Sequence, residues 1–249
     1  MKIVTWNIAG GRKINSNKLF EYGNEDLHYF SKQIYPINPD VICLQESHTN
    51  KTTSVASILA KTLNMNYVYD SPASPSHIDN KYFLGTSIIS RHSFSSTQTL
   101  TLPVPKFDLH FPDGQKVMVH QKNVQLVKYR KFFLANIQLL GLFEHSYNKG
   151  VAVFYTKEIE KILLKLEEPI IFCGDFNVNK PQRIFKSLFR ILNLKDSLPN
   201  KITRPNVKNV KLTPDHIYYS PPFKCVNSEI IKTTTDHYLC WAEFTNVVF

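Results

Sequence analysis

The chain has 249 residues, of which 43% are hydrophobic and 12% aromatic, so disorder is excluded and a sizeable core is available. Lys and Arg number 30 against 20 Asp and Glu, and this net charge of +10 favours a polyanionic partner: nucleic acid, an anionic membrane surface or a phosphorylated small molecule. No apolar run approaches the roughly 20 residues of a transmembrane segment, and we expect one domain over residues 1–249.

The first part of the chain alternates predicted strands and helices. Strands are predicted at residues 2–6, 41–44, 67–69 and 85–90. Asn24 is predicted to cap a helix that carries Glu25 and Asp26 in its first turn. A second helix is predicted to begin near Thr53 or Ser54 and to bury residues 55, 58, 59 and 63.

The second part of the chain begins with several strand-like runs between residues 94 and 140, with turns at residues 112–114 and 128–131, and consecutive strands of this kind favour antiparallel pairing. A long helix is predicted at residues 151–166, with Phe154 and Tyr155 on its apolar stripe. A buried strand is predicted at residues 169–173, followed by a helix with Pro181 in its first turn. The last two strands are predicted at residues 216–219 and 238–244.

Polar residues gather where the predicted strands end, which is where sheet proteins usually assemble a site. These residues are Asn7, Gln45, Glu46, Asp175, Asn177, Asp236 and His237. Each of them alone has an ordinary explanation as a loop acid, a turn residue or a helix cap. Together, Glu46, Asp175 and Asp236 would form a set of hard oxygen ligands suited to Mg²⁺ or Mn²⁺, since three clustered carboxylates stay ionised only around a cation.

Six segments resemble, in order, the motifs of the endonuclease/exonuclease/phosphatase superfamily. They are residues 1–8, 39–46, 85–91, 174–177 (Gly-Asp-Phe-Asn), 213–220 and 235–237 (Thr-Asp-His). Because the ordered set covers the chain from residue 1 to about 244, the sequence is identified as a member of this superfamily. The resemblance implies an α+β fold with four α/β/β/α layers, in which two mixed β-sheets pack face to face between helices. It also implies metal-dependent hydrolysis of phosphate esters.

The resemblance implies a role for each matching residue. Glu46 would hold the catalytic metal, Mg²⁺ with Mn²⁺ as an alternative, and Asn7 and Asp236 would lie near it. Asp175 would orient or deprotonate the attacking water, and Asn177 would position that water or a phosphate oxygen.

The remaining catalytic residues implied by the resemblance are His237, Asp215 and Gln138. His237 would contact the scissile phosphate, and Asp215 would hold it in its protonated form. Many relatives carry Asn-x-His-Leu where this chain has Asn136-Ile137-Gln138-Leu139. Gln donates a hydrogen bond but cannot transfer a proton, so the general acid stays open, with a metal-bound water as one alternative.

Most of the excess positive charge lies in residues 180–211, where nine residues are basic and Asp196 is the only acid, a difference of +8. This stretch is interpreted as a basic wall that follows a phosphate backbone, although a solvated helix face would look the same. The substrate-binding candidates are Lys180, Arg183, Lys186 and, at the end of the strand predicted at residues 85–90, Arg91. Tyr82 and Tyr129 could add stacking surfaces or be ordinary edge aromatics.

The leading hypothesis is a Mg²⁺-dependent nuclease or DNA-repair phosphodiesterase, with motifs similar to those of both apurinic endonucleases and tyrosyl-DNA phosphodiesterases. The alternatives are a lipid or inositol phosphate phosphodiesterase acting at a membrane surface, and a catalytically weak nucleic-acid-binding module. We expect a monomer, with nucleic acid as its partner. The sequence shows no signal peptide, and three of its four cysteines sit in strand-like runs as reduced thiols, so a cytoplasmic protein is expected, or a nuclear one in a eukaryote.

Overall fold

The computed structural model describes residues 1–15, 21–102, 104, 109–110, 116–117, 120–140, 149–207 and 210–246. The turn predicted at residues 112–114 lies outside these residues, as does Lys208 of the basic stretch. The side chains of Phe154 and Tyr155, predicted on the apolar stripe of the long helix, also lie outside the described part.

The described residues form strands and helices that we number in chain order. The strands are β1 (Lys2–Asn7), β2 (Arg12–Ile14), β3 (Tyr22–Glu25), β4 (Val41–Thr49), β5 (Tyr67–Pro75), β6 (Phe83–Ser90), β7 (Ser96–Thr101), β8 (Leu109–His110), β9 (Lys116–Val117), β10 (Asn123–Tyr129), β11 (Phe132–Gln138), β12 (Ile170–Asp175), β13 (Lys195–Asp196), β14 (Arg204–Val207), β15 (Val210–Leu212), β16 (Asp215–Tyr219), β17 (Lys224–Ile231) and β18 (Leu239–Thr245). The α-helices are α1 (Leu27–Ile34), α2 (Val55–Thr62), α3 (Lys149–Leu163) and α4 (Lys186–Ile191), and short 3-10 helices span Tyr35–Ile37 and Pro181–Arg183.

Two six-stranded mixed sheets carry the fold. The first has the order β17-β18-β1-β4-β6-β5, and the second has the order β13-β16-β12-β11-β10-β7. In the first sheet β1 and β4 are parallel, while in the second β11 and β12 are parallel. The antiparallel pairing predicted for residues 94–140 is present between β7, β10 and β11.

Three apolar clusters hold the layers together. One lies between the sheets and includes Ile3, Cys43, Leu134 and Cys173. A second packs the outer face of the first sheet against α1 and α2, and a third packs the outer face of the second sheet against α3 and α4. The predicted α/β/β/α sandwich is therefore confirmed. Among the described residues no helix is long and apolar enough to cross a membrane.

The first helix begins later than predicted. Asn24 lies in β3, and the cap of α1 is Asp26, whose carboxylate accepts a hydrogen bond from the amide of Tyr29 at 3.0 Å. The local reason is that residues 22–25 pair with β2 before the chain turns into the helix. The start of α2 near Thr53 or Ser54 is confirmed, with Ser54 as its cap, but Ile58 is 39% exposed rather than buried.

Two predictions near the end of the chain also differ from the structure. Pro181 opens a short 3-10 helix, and the α-helix itself begins only at Lys186. The strand β17 was not predicted, because it lies at the edge of the first sheet with most of its residues partly or fully exposed and so lacks a continuous apolar run.

Candidate active site

The polar ends of four central strands meet at one edge of the sandwich. Parallel pairing places Asn7 beside Gln45 in the first sheet, and Gln138 beside Asp175 in the second. The amide of Asn7 bridges the sheets: its Nδ2 donates to Glu46 Oε1 and to Asp175 Oδ2, both at 3.2 Å. One short side chain thus connects the carboxylates that the two sheets contribute.

Glu46 reaches this edge because the strand carrying it is bulged. Neighbouring residues of a regular strand face opposite sides, yet Gln45 and Glu46 both face the second sheet, where they contact Asn136 and Gln138. The register of β4 against β6 shifts between Gln45 and Ser47, and Glu46 has a φ of 51°. A left-handed backbone is costly for a residue with a Cβ, and bulges commonly re-aim a side chain at a functional site.

The end of β12 is built around Gly174. This residue has a φ of 136°, and a Cβ there would lie 2.0 Å from the carbonyl oxygen of Ile137 on β11. Glycine is therefore required for β11 and β12 to approach this closely just before Asp175. The carboxylate of Asp175 then accepts hydrogen bonds from the backbone amide of Asn177 at 2.9 Å and from its side chain at 3.1 Å.

His237 lies between two buried carboxylates. Its Nδ1 is 2.9 and 3.0 Å from the two oxygens of Asp215, and its Nε2 is 3.9 Å from Asp175 Oδ2. Burial disfavours charge on the imidazole, but Asp215 and Asp175 outweigh it and raise the pKa of His237 to about 10. Burial raises the pKa of Asp175 to about 6, against the opposing effect of His237. The arrangement holds a protonated imidazole next to a carboxylate that titrates near neutral pH.

Asp236 directly precedes His237 in the chain and is almost fully buried. One of its oxygens accepts a hydrogen bond from the hydroxyl of Tyr22 at 3.1 Å, while Oδ1 is buried without a partner in the described part of the chain. Burial and the charge of Glu46 raise the pKa of Asp236. A buried carboxylate oxygen with no donor is the position at which a cation would compensate the charge.

A second group of residues has the geometry of a metal cluster. Asp175, Asp215 and His237 each bring one ligand atom to within 4.8 Å of the others. However, Nδ1 of His237 is already bonded to Asp215, and the two carboxylates favour the protonated imidazole, which has no lone pair for a metal. This cluster is suited to holding a proton, which leaves Glu46 and Asp236 as the carboxylates suited to a divalent cation.

The side chain of Gln138 is hydrogen-bonded to both Glu46 and Lys122. Its Nε2 donates to Glu46 Oε1 at 2.7 Å, and its Oε1 accepts from Lys122 Nζ at 2.9 Å. Burial lowers the pKa of Lys122, whereas Glu46 and Asp175 oppose that shift. Although burial works the other way, Lys122 and His77 lower the pKa of Glu46. The position that departs from the family pattern is therefore accompanied by a lysine that the sequence did not single out.

Two further residues join the site without having been predicted. Arg204 is 4% exposed, and its charge acts on both Asp236 and Tyr22. The hydroxyl of Tyr22 donates a hydrogen bond to Asp236. Burial and the charge of Asp236 raise the pKa of this hydroxyl. The stretch of residues 180–211 is consequently not one exposed wall, because Arg204 faces the acids of the site.

The substrate-binding candidates are placed in two regions. Lys180, Arg183 and Lys186 are exposed, on the segment that follows the Gly-Asp-Phe-Asn turn. Arg91 instead lies beyond the far end of β6, with its guanidinium bonded to Pro39 O at 3.0 Å and to Asn38 Oδ1 at 2.7 Å. Since β6 runs antiparallel to β4, this places Arg91 about five residues, or roughly 16 Å, from Glu46 along the sheet.

The two candidate stacking residues also differ. Tyr129 is 1% exposed, lies in the core between the sheets and bonds Ser90 Oγ at 3.0 Å, so its proposed stacking on a base is wrong. Tyr82 stacks on the ring of His48, with centroids 4.8 Å apart. His48 in turn fills the space where a Cβ of Gly10 would lie, which explains the glycine after the first strand.

Lys122 could have been found from the sequence, whereas Tyr22 and Arg204 could not. Lys122 directly precedes β10, and the pairing of Val124 with Ile137 places the start of this strand beside Gln138. A hairpin between these strands had been predicted in outline. Tyr22 and Arg204 reach Asp236 from outside the two large sheets, and no local pattern indicates that approach.

A model of the Endonuclease/Exonuclease/phosphatase family matches residues 4–237 of this chain. A curated relative from Dictyostelium discoideum, named DNA-(apurinic or apyrimidinic site) endonuclease, is 26% identical over 184 residues. That match covers 72% of this chain but only 42% of the relative, so the chain spans less than half of that protein.

Solved structures share the fold over nearly the whole chain. An endonuclease/exonuclease/phosphatase family protein from Leptotrichia buccalis C-1013-b is 17% identical, with a TM-score of 0.65 and coverage of 98% of this chain and 99% of that one. The human Nocturnin catalytic domain, solved with a bound sulfate anion, is 16% identical, with a TM-score of 0.65 and coverage of 98% and 94%. At these identities the likeness shows the architecture alone.

Proposed function

The chain belongs to the endonuclease/exonuclease/phosphatase family, whose members are hydrolases that act on phosphate esters, and we propose that it is a Mg²⁺-dependent nuclease or DNA-repair phosphodiesterase. The observation that carries this proposal is the buried line of Asp215, His237 and Asp175 next to Glu46 and Asp236. It combines a proton-holding imidazole, a carboxylate that can accept a proton and a pair of acids suited to a cation.

Four residues at the edge of the sandwich have distinct roles in the proposed hydrolysis. Asp175 orients the attacking water and accepts its proton, since a carboxylate with a pKa of about 6 is mostly ionised at neutral pH. Asn177 holds the Asp175 carboxylate through its backbone and side-chain amides. His237 donates from Nε2 to a phosphate oxygen, and Asp215 keeps that imidazole oriented and charged.

A divalent cation fits the two acids Glu46 and Asp236, whose charges act on one another. Glu46 and the unpartnered oxygen of Asp236 are hard oxygen donors, and Mg²⁺ is usually bound by one or two carboxylates together with substrate phosphate. The family is generally divalent-metal dependent. When bound there, the cation would neutralise charge on the phosphate and on the leaving oxygen.

Three features support nucleic acid as the substrate. The net charge of +10 favours a polyanion, and Lys180, Arg183 and Lys186 present exposed charge on the segment after Asn177. The Dictyostelium relative is named as a DNA endonuclease. A polynucleotide can use both the catalytic acids and a charged surface beside them, whereas a small phosphate ester reaches only the former.

A substrate panel tests this proposal. With Mg²⁺, the purified protein should cleave single-stranded, duplex or abasic-site DNA, and EDTA should stop the reaction. Asp175→Asn should lower kcat by about 10³-fold with little change in binding, because it removes the proton acceptor but keeps the shape. Release of phosphate from a phosphoinositide, with no cleavage of any DNA or RNA, would replace the nuclease proposal with the lipid phosphate alternative.

The basic segment has its own test. Replacing Lys180, Arg183 and Lys186 together with Ala should weaken DNA binding and lower the slope of log affinity against log salt by up to about 3 units, while kcat at saturation stays the same. The matched control replaces the exposed residues Lys51, Lys61 and Lys32, which lie in and around α1 and α2. Equal salt slopes for both variants would show that the segment does not follow the DNA backbone.

A further inference from the structure

A second cavity opens on the far side of Gln138 from Glu46. Its walls come from residues 73–77, the start of β6 and the segment that leads into β10, with Gln138 as the wall it shares with the catalytic acids. Its enclosed volume is only about 10 Å³, room for about one water, so a larger ligand would lie at its mouth. None of the described residues that line it is an Asp or a Glu, so this part of the cavity contrasts with the acidic site next to it.

The basic side chains of this cavity are two histidines and a lysine. The rings of His77 and His120 lie 5.0 Å apart with their planes at 31°, and Lys122 points its ammonium at Gln138 Oε1. Burial, His77 and Lys122 lower the pKa of His120, and Glu46 opposes that shift. Three basic side chains thus gather at one place, and an anion bound among them would favour positive charge on His120.

A neutral donor completes the cavity. The side chain of Thr86 lines it, and the residue is only 2% exposed. Its hydroxyl is buried without a hydrogen-bond partner in the described part of the chain. A buried hydroxyl of this kind is unfavourable unless a water meets it, and a water in the cavity would connect it to an anion at the mouth.

We propose that the mouth of this His77/His120 cavity binds a second phosphate group of the substrate, the one next to the scissile phosphate along a nucleic-acid strand. This inference rests on the proposed function, because it takes the scissile phosphate to lie at Glu46 and His237. Gln138 contacts Glu46 on one side and Lys122 on the other, so a single side chain separates the two positions. A strand crossing Gln138 would bring its neighbouring phosphate over the cavity.

The test removes the charge of one phosphate at a time. DNA oligonucleotides with a single cleavage site carry one uncharged methylphosphonate, placed at each position around that site. For the wild type, one flanking position should lower kcat/KM by about tenfold. The variant His77→Gln/His120→Gln should lose about tenfold on fully charged DNA and should lose nothing more from the methylphosphonate at that same position.

A matched control uses histidines far from the cavity. His28 lies on α1, and His92 lies next to Asp40 at the opposite end of the sheet, so His28→Gln/His92→Gln should behave as the wild type. Two outcomes would overturn the inference: a His77→Gln/His120→Gln enzyme as active as the wild type, or one that stays fully sensitive to every methylphosphonate.

A second measurement separates this inference from the proposed function. Inorganic phosphate added to the protein in EDTA should shift the imidazole NMR signals of His77 and His120 and leave those of His28 and His92 in place. Unmoved signals at His77 and His120 would overturn the subsite while leaving the nuclease proposal standing. If the signals shift but the wild type cleaves no nucleic acid, the nuclease proposal is wrong. The cavity then binds phosphate, but not the neighbouring phosphate of a nucleic-acid substrate.

Discussion

Two aspartate–histidine pairs lie back to back on β16, and only one of them belongs to the site. Asp215 holds His237 at 2.9 Å on the face towards the first sheet, while His216, the next residue along, holds Asp196 at 3.0 Å on the other face. Both histidines are nearly buried, so neither the pairing nor the burial distinguishes them. Adjacent strand residues point to opposite faces, and this alternation separates the pair proposed to be catalytic from the other one.

The difference lies in what the second ring nitrogen meets. Nε2 of His237 faces Asp175 at 3.9 Å, at the open edge of the sandwich. Nε2 of His216 is buried with no partner in the described part of the chain, and its ring stacks on Tyr218 and meets the edge of Phe176. An Asp–His pair thus becomes a candidate for catalysis only when the far nitrogen reaches a space that a substrate can enter.

The largest effect is expected from His237→Ala. This change removes the positive charge next to the phosphate, and kcat should fall by about 10³-fold or more, with far-ultraviolet circular dichroism unchanged. Steady-state kinetics on the best DNA substrate of the panel measures it. A loss below tenfold would show that the Asp215–His237 pair is not required for catalysis.

A smaller effect is expected from Asp215→Asn. The amide keeps the volume but lacks the charge that holds His237 protonated, so kcat should fall by about 10²-fold while KM changes little. The imidazole NMR signals of His237 should report a lowered pKa in this variant. An unchanged pKa together with lost activity would assign Asp215 a different role from the one proposed.

The smallest effect on activity is expected from His216→Phe. The His216–Asp196 pair does not reach the edge where Glu46 and Asp175 meet, so kcat/KM per folded molecule should stay within about twofold. Asp196 would lose its buried partner, and the free energy of unfolding should fall by about 1–3 kcal/mol in urea denaturation. A tenfold loss of kcat/KM in a stable His216→Phe protein would mean that the His216–Asp196 pair affects the position of Asp175 through Phe176.

Several features of the fold could be predicted because their signals are local. The predicted start of α2 near Thr53 or Ser54 is confirmed, and Ser54 caps it through a reciprocal pair of hydrogen bonds with Ser57, three residues on. The cap of α1 was placed at Asn24 rather than Asp26, because the short pairing of β2 with β3 is not visible as an apolar pattern. Edge strands such as β17 were missed for the same reason.

The sequence by itself determined the sandwich fold and the polar residues at the strand ends, because apolar runs and motif order are properties of the chain read along its length. Only the tertiary structure decided which other groups meet them. Lys122, Tyr22 and Arg204 join the site, and Arg91 is excluded from it. The physical reason is that strand direction and register set which ends share an edge, and that edge is assembled from residues far apart in the chain.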